Sequence, residues 1–160
     1  MQVTYRQIAP DDNAPLAEMI RKVFREFKID RPGTVYTDPT TDHLYELFQV
    51  PKAEYWIAET NGEIVGGCGI HPSNGLPEGC AELVKFYVAA SVRGTGIGKQ
   101  LMAQCIDSAR EQGYKQLYIE SLPELEKAVG MYEKAGFRRL QQPVGDTGHY
   151  ACSIWMLMEL

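Results

Sequence analysis

Arg93-Gly94-Thr95-Gly96-Ile97-Gly98-Lys99 lies between two stretches of different periodicity, and its reading decides the fold. Before it, residues 80–90 carry Leu83, Val84, Phe86, Tyr87 and Val88, the β-branched and aromatic mixture of a buried strand. After it, Ile97, Leu101, Met102, Cys105, Ile106 and Ala109 recur at helical spacing and mark one apolar face. The heptapeptide therefore joins a strand end to a helix start. Helix N-termini leave backbone N–H groups unpaired and carry partial positive charge, and three glycines remove the side chains that would keep a phosphate away. Arg93 and Lys99 add charge at either end, so the stretch reads as an anion cradle.

Spacing separates this loop from two commoner phosphate loops. A P-loop requires glycine, four residues and then Gly-Lys-Ser/Thr. Counting back from Gly98-Lys99 puts Arg93 where the first glycine belongs, and Gln100 replaces the hydroxyl. A Rossmann fingerprint requires a glycine three residues after its second, where Lys99 stands. What the run does fit is Arg/Gln-x-x-Gly-x-Gly/Ala, through Arg93, Gly96 and Gly98. In this it resembles the coenzyme A loop of the GNAT superfamily of N-acetyltransferases. A second signature of that family, Tyr-x-x-x-Gly-Phe at the end of a short helix, is matched by Tyr132, Gly136 and Phe137, after a strand-like segment over residues 116–121. The resemblance covers most of the chain from Ala53 onward. Gly136 also reads as an ordinary helix C-cap.

At 160 residues the chain suits one domain, residues 1–160, with a sizeable core. The amino terminus lacks the apolar run of a secretory signal and no stretch approaches the length of a membrane span, which predicts a soluble, cytoplasmic protein with no membrane partner. Cys68, Cys80, Cys105 and Cys152 form no C-x-x-C pair and no metal-ligand spacing with the three histidines, so reduced, mostly buried thiols and no metal are expected. A net charge of -5 argues against a nucleic-acid surface and is compatible with a neutral or cationic amine.

Residues 3–8 alternate as a first strand, and Asp11-Asp12-Asn13 offers caps for a helix with Leu16, Met19, Ile20, Val23, Phe24 and Phe27 on one face. Residues 38–42 can cap a second helix through Leu44, Leu47 and Phe48. Strands over residues 54–59 and 63–70 flank Asn61-Gly62, a hairpin signal. The second carries Gly66, Gly67 and Gly69, which suggests close approach of another backbone or a ligand. Residues 150–160 read as a final strand, exposed enough to make a homodimer reasonable. The count is about seven strands and four helices, a mixed α/β sheet covered by helices. The family resemblance implies a largely antiparallel central sheet whose two middle strands splay apart to admit acyl-CoA.

Acyl transfer from a thioester to an amine needs a neutral amine, a stabilised oxyanion and a protonated leaving thiolate. An alkylammonium group has a pKa near ~10.4, so about one in a few thousand is nucleophilic at neutral pH unless a base removes its proton. Glu82 matches the strand position where many GNAT enzymes place that base; its alternative is a strand carboxylate or ion-pair partner. The resemblance implies that the loop amides from Arg93 through Gly94, Thr95, Gly96, Ile97 and Gly98 to Lys99 bind the pyrophosphate of acetyl-CoA, a cosubstrate. It also implies that Phe86, Tyr87 and Val88 pair with pantetheine along the strand edge, and that a backbone N–H at Val88 or its neighbour faces the oxyanion. Tyr132 matches the tyrosine that protonates the thiolate. Leu125 departs from the family, which often carries a CoA-contacting asparagine there. For the acceptor pocket, His149, His43 and Tyr36 are the candidate contacts, with Tyr45, Tyr150 and Cys152 nearby in the same segments. The reading is an N-acetyltransferase acting on a primary amine of a small molecule or peptide by direct ternary-complex transfer, since no cysteine has a visible base. Its rivals are a non-catalytic acyl-CoA sensor and a nucleotide-binding regulatory module.

Overall fold

The computed structural model describes residues 1–148 and 150–160. Seven strands, β1 (Thr4–Gln7), β2 (Glu54–Thr60), β3 (Glu63–His71), β4 (Cys80–Val88), β5 (Gln116–Ser121), β6 (Arg138–Leu140) and β7 (Ile154–Glu159), form one sheet in the order β1-β2-β3-β4-β5-β7-β6. Every pairing is antiparallel except β4 with β5. Four helices cover it: α1 (Asn13–Glu26), α2 (Leu44–Leu47), α3 (Ile97–Glu111) and α4 (Glu126–Ala135). The mixed sheet and helix count agree with the sequence expectation.

The two faces of the sheet hold separate cores. Along β2, Trp56 and Ala58 face a core completed by Leu101 and Cys105 of α3 and Val129 and Tyr132 of α4. Tyr55 and Ile57, one residue out of phase, face Leu16, Ile20 and Phe24 of α1 and Leu44 of α2. The hairpin between β2 and β3 turns through Asn61 and Gly62, at φ 52° and 77°, with Thr60 opposite Glu63. Both central residues thus adopt the left-handed conformation that a two-residue hairpin loop requires. The glycines of β3 are where aromatic rings lie against the backbone: a Cβ on Gly67 would come within 2.8 Å of three Tyr55 atoms, and one on Gly69 would meet Tyr55 and Phe48.

Two expectations are corrected. Phe27 does not share the buried face of α1: the helix stops at Glu26, Phe27 is its C-cap, and its ring turns outward with 37% exposure. The final strand begins at Ile154 rather than at Tyr150 and is not an edge. It pairs with β5 from Gln116↔Glu159 to Ser121↔Ile154 and with β6 at Leu140↔Trp155, so the exposed strand invoked for a homodimer does not exist.

The middle of the sheet is open. The parallel register joins Cys80↔Gln116, Ala81↔Leu117 and Glu82↔Tyr118 and goes no further. Beyond Glu82, β4 continues beside β3 to Val88, and β5 continues beside β7 to Ser121.

Candidate active site

The gap between β4 and β5 forms a cavity of about 610 Å³ whose walls include Glu82 to Val88 of β4, Glu120 and Ser121 of β5, Gly94 and Gly98 at the start of α3, and Met131 and Tyr132 of α4. Phe24 of α1, together with Thr34 and Val35, closes the opposite side.

At one end stands the glycine loop. Gly96 takes φ 90° as the N-cap of α3, a left-handed conformation open to glycine at little cost. No side chain caps the helix, and a Cβ on Gly94 or Gly96 would meet nothing within 4 Å. The loop ahead of α3 therefore has open space around Gly94 and Gly96, and the first turn of the helix carries no side-chain cap, as an anion cradle requires. Thr95 Oγ1 donates to the Val92 carbonyl at 2.6 Å and tightens the turn. Arg93 is engaged elsewhere: its guanidinium donates to both carboxylate oxygens of Glu26, and its Nε donates to the Val88 carbonyl at 3.1 Å. It also lies 4.9 Å over the Phe27 ring. Arg93 thus ties the loop to the end of α1.

The wall along β4 carries a bulge. Gly67 pairs with Tyr87 and Gly69 with Val84, so Lys85 and Phe86 together face Cys68. Lys85 has φ 53°, and the alternation of side chains slips there by one residue. Leu83, Phe86 and Val88 consequently face the α3–α4 core, while Val84 and Tyr87 face the α1 core.

Glu82, the last residue of β4 paired with β5, is 3% exposed and accepts a hydrogen bond from the Ser73 hydroxyl at 2.6 Å. Tyr132 reaches the cavity from the other face of the sheet, packed against Phe86 and Phe137 with centroids 5.9 Å apart in each pair. Burial pushes its phenol well above the ordinary value. Glu120 accepts from the Tyr118 hydroxyl at 2.9 Å and from the Thr147 hydroxyl. Cys152 is half-buried on the cavity wall, and burial, reinforced by the nearby Glu120 and Glu82, pushes its thiol up to about 12.

Of the residues singled out in the sequence, Glu82, Phe86, Tyr87, Val88, Arg93, Gly94, Gly98 and Tyr132 meet in this cavity, as does Leu125. His43 and Tyr36 do not. His43 is 72% exposed at its side chain and borders a separate shallow depression with Pro39 and Leu47. Tyr36 leans on Phe24, and its hydroxyl accepts from Arg25 at 3.4 Å. His149 lies outside the described residues. Sequence reasoning missed Lys85 and Glu120, both on the cavity wall, and Asp38, which binds Lys85. A lysine set between Val84 and Phe86 in a buried strand is a signal that could have drawn attention to Lys85.

The sequence pattern of the acetyltransferase (GNAT) family matches residues 18–137. YjgM of Escherichia coli, named as an uncharacterized N-acetyltransferase, is 37% identical over 156 residues, covering 97% of this chain and 93% of its own length. An acetyltransferase of the GNAT family from Staphylococcus aureus superposes with a TM-score of 0.86 at 21% identity, covering 99% of each chain. YncA, a putative acetyltransferase from Salmonella typhimurium solved with its cofactor acetyl-CoA, superposes with a TM-score of 0.76 at 18% identity, covering 100% of this chain and 95% of its own.

Proposed function

Because the chain belongs to the GNAT acetyltransferase family, we propose that it binds acetyl-CoA in the gap between β4 and β5 and transfers the acetyl group directly to a primary amine of a small molecule or peptide. Residues 1–160 act as one domain in this reading. One observation carries it: a single cavity joins the glycine loop, the β4 edge left unpaired by β5, a buried carboxylate and a buried phenol.

The residues present fit the cosubstrate. The uncapped amides at the start of α3 suit a pyrophosphate, and the β4 edge past Glu82 offers backbone groups to pantetheine amides. When bound, acetyl-CoA supplies the activated acetyl thioester. Glu82 takes the proton from the acceptor ammonium, directly or through a water, with the Ser73 hydroxyl orienting its carboxylate. The backbone N–H of Val88 donates to the carbonyl oxygen as negative charge develops there, a fixed dipole that needs no reorganisation, whereas the Ala89 N–H is already given to the Val65 carbonyl at 2.8 Å. Tyr132 gives its proton to the departing sulfur and is reprotonated, through water, by the second proton that the attacking nitrogen sheds as the amide forms. Burial holds the phenol protonated at neutral pH, the form this step requires. The protonated state of Cys152 favours direct transfer over a covalent acyl-enzyme, since the thiolate is the nucleophilic form.

Thiol release from acetyl-CoA, measured against a panel of primary amines, tests this reading. Amine-dependent release that drops in Tyr132→Phe is the expected result. CoA binding without turnover on any amine, and no kinetic change in Tyr132→Phe, would replace it with an acyl-CoA sensor.

A further inference from the structure

Lys85 is the one residue of β4 held in the left-handed region, and it is not a glycine. A non-glycine residue persists in that conformation when its surroundings over-determine it. Two contacts do so here. From β2, the Tyr55 hydroxyl donates to the Lys85 carbonyl at 2.7 Å. From the segment between α1 and α2, Asp38 Oδ2 accepts from Lys85 Nζ at 3.1 Å, with the lysine side chain 2% exposed. An ammonium so buried is costly unless paired, so removing Asp38 leaves Lys85 poorly accommodated.

Asp38 is itself fixed. Its Oδ1 accepts from the Thr40 N–H at 2.9 Å and from the Thr40 hydroxyl at 2.7 Å, capping a short 3-10 turn over Pro39–Asp42. The same segment is closed by Thr41, whose hydroxyl donates to the Val35 carbonyl at 2.8 Å. Val35 and Thr34 line the cavity opposite β4. One ion pair therefore joins the bulge on one wall to a capped turn behind the other wall. The bulge in turn decides which faces Phe86, Tyr87 and Val88 present, because the alternation slips at Lys85.

We propose that Lys85 and Asp38 are a positioning pair: their ion pair holds the β4 bulge in register and so sets the frame of the strand edge that receives the acyl-CoA. This rests on the acetyl-CoA reading of the cavity. The pair acts through the backbone and touches neither the acetyl group nor the amine.

The test is calorimetric titration with CoA, alongside thermal melting of each protein. Wild type that does not bind CoA removes the acetyl-CoA reading itself. If wild type binds, Lys85→Met/Asp38→Asn is expected to bind CoA at least about tenfold more weakly, since methionine resists the left-handed conformation and no ion pair holds it there. Lys85→Gly/Asp38→Asn, which also lacks both charges, is expected to bind within about threefold of wild type, because glycine takes that conformation unaided. Equal binding by both double variants, whether strong or weak, overturns the proposal. So does a melting temperature that falls in Lys85→Met/Asp38→Asn while its CoA affinity stays at the wild-type value.

Discussion

Alanine at Gly67 is expected to be among the more damaging single-methyl additions to this sheet. Its Cβ would stand 2.4 Å from the Tyr55 hydroxyl oxygen and 2.7 and 2.8 Å from two ring carbons, distances no real Cβ keeps. The ring has little freedom to retreat: it is 1% exposed, lies 5.0 Å from the Phe48 ring, and is tethered through its hydroxyl to the Lys85 carbonyl. Overpacking of this kind costs about 1–3 kcal/mol, and a tilt that breaks the tether leaves a buried carbonyl unpaired for about 1–3 kcal/mol more, so a total of about 2–6 kcal/mol is expected. For a chain of this length the unfolding entropy is about 0.34 kcal/mol/K, which converts that loss to a fall of about 6–18 °C in melting temperature. Gly130 provides the contrast, because it lies within α4 and a Cβ there meets nothing within 4 Å. Gly130→Ala is expected to gain about 0.5–1 kcal/mol and melt about 1–3 °C higher. Both follow from scanning calorimetry or circular dichroism. A Gly67→Ala protein melting within about 2 °C of wild type, or a Gly130→Ala protein that falls as far, would refute the reasoning from close approach.

Four further outcomes are expected. Tyr132→Phe lowers kcat by about 100-fold or more with CoA affinity unchanged; because burial holds the phenol above its ordinary value, wild-type turnover loses nothing to Tyr132 ionisation below about pH 10. Glu82→Gln lowers kcat/KM by about 100-fold or more at pH 7, and a pH–rate profile shows the deficit shrinking toward about pH 10, where the amine deprotonates without help. Cys152→Ser keeps turnover within about threefold of wild type, and a larger loss would count against direct transfer. Burial pushes the Asp12 carboxyl up, but hydrogen bonds from Arg6 and the Ala9 N–H outweigh it and its pKa is lowered. Its stabilisation is thus present above about pH 4 and lost as pH falls through the folded-state value, so the melting deficit of Asp12→Asn shrinks below about pH 4.

The loop and the helix after it could be read from sequence because their signals are local: glycine spacing, and an apolar stripe at every third or fourth residue. Gly136 adopts the positive φ expected at a helix C-terminus. The engagement of Arg93 with Glu26 could not be read so, since 67 positions separate the two residues and only the fold brings them together. The bulge at Lys85 was hidden for a related reason. Val84-Lys85-Phe86 scans as ordinary alternation, and the slip is visible only against the register of β3. The interior place of β7 depends on β6, three residues with exposed arginines that carry no apolar pattern of their own. Among the acceptor candidates, His43 stands on residue type and segment alone. Chemistry alone carries no information about which side of a segment faces the cavity, and His43 faces away from it.

The open middle of the sheet also has a mechanical meaning. Strands β1 to β4 form one antiparallel half and β5 to β7 the other, and within the sheet the halves meet through three residue pairs near Glu82 and Tyr118. Past that joint no ladder hydrogen bond between the halves fixes the width of the gap. A molecule seated in the gap that contacts both halves acts as the missing rungs of the ladder. Filling the cavity and stiffening the sheet then become a single event, and slower amide exchange in β4 and β5 would report it without any turnover.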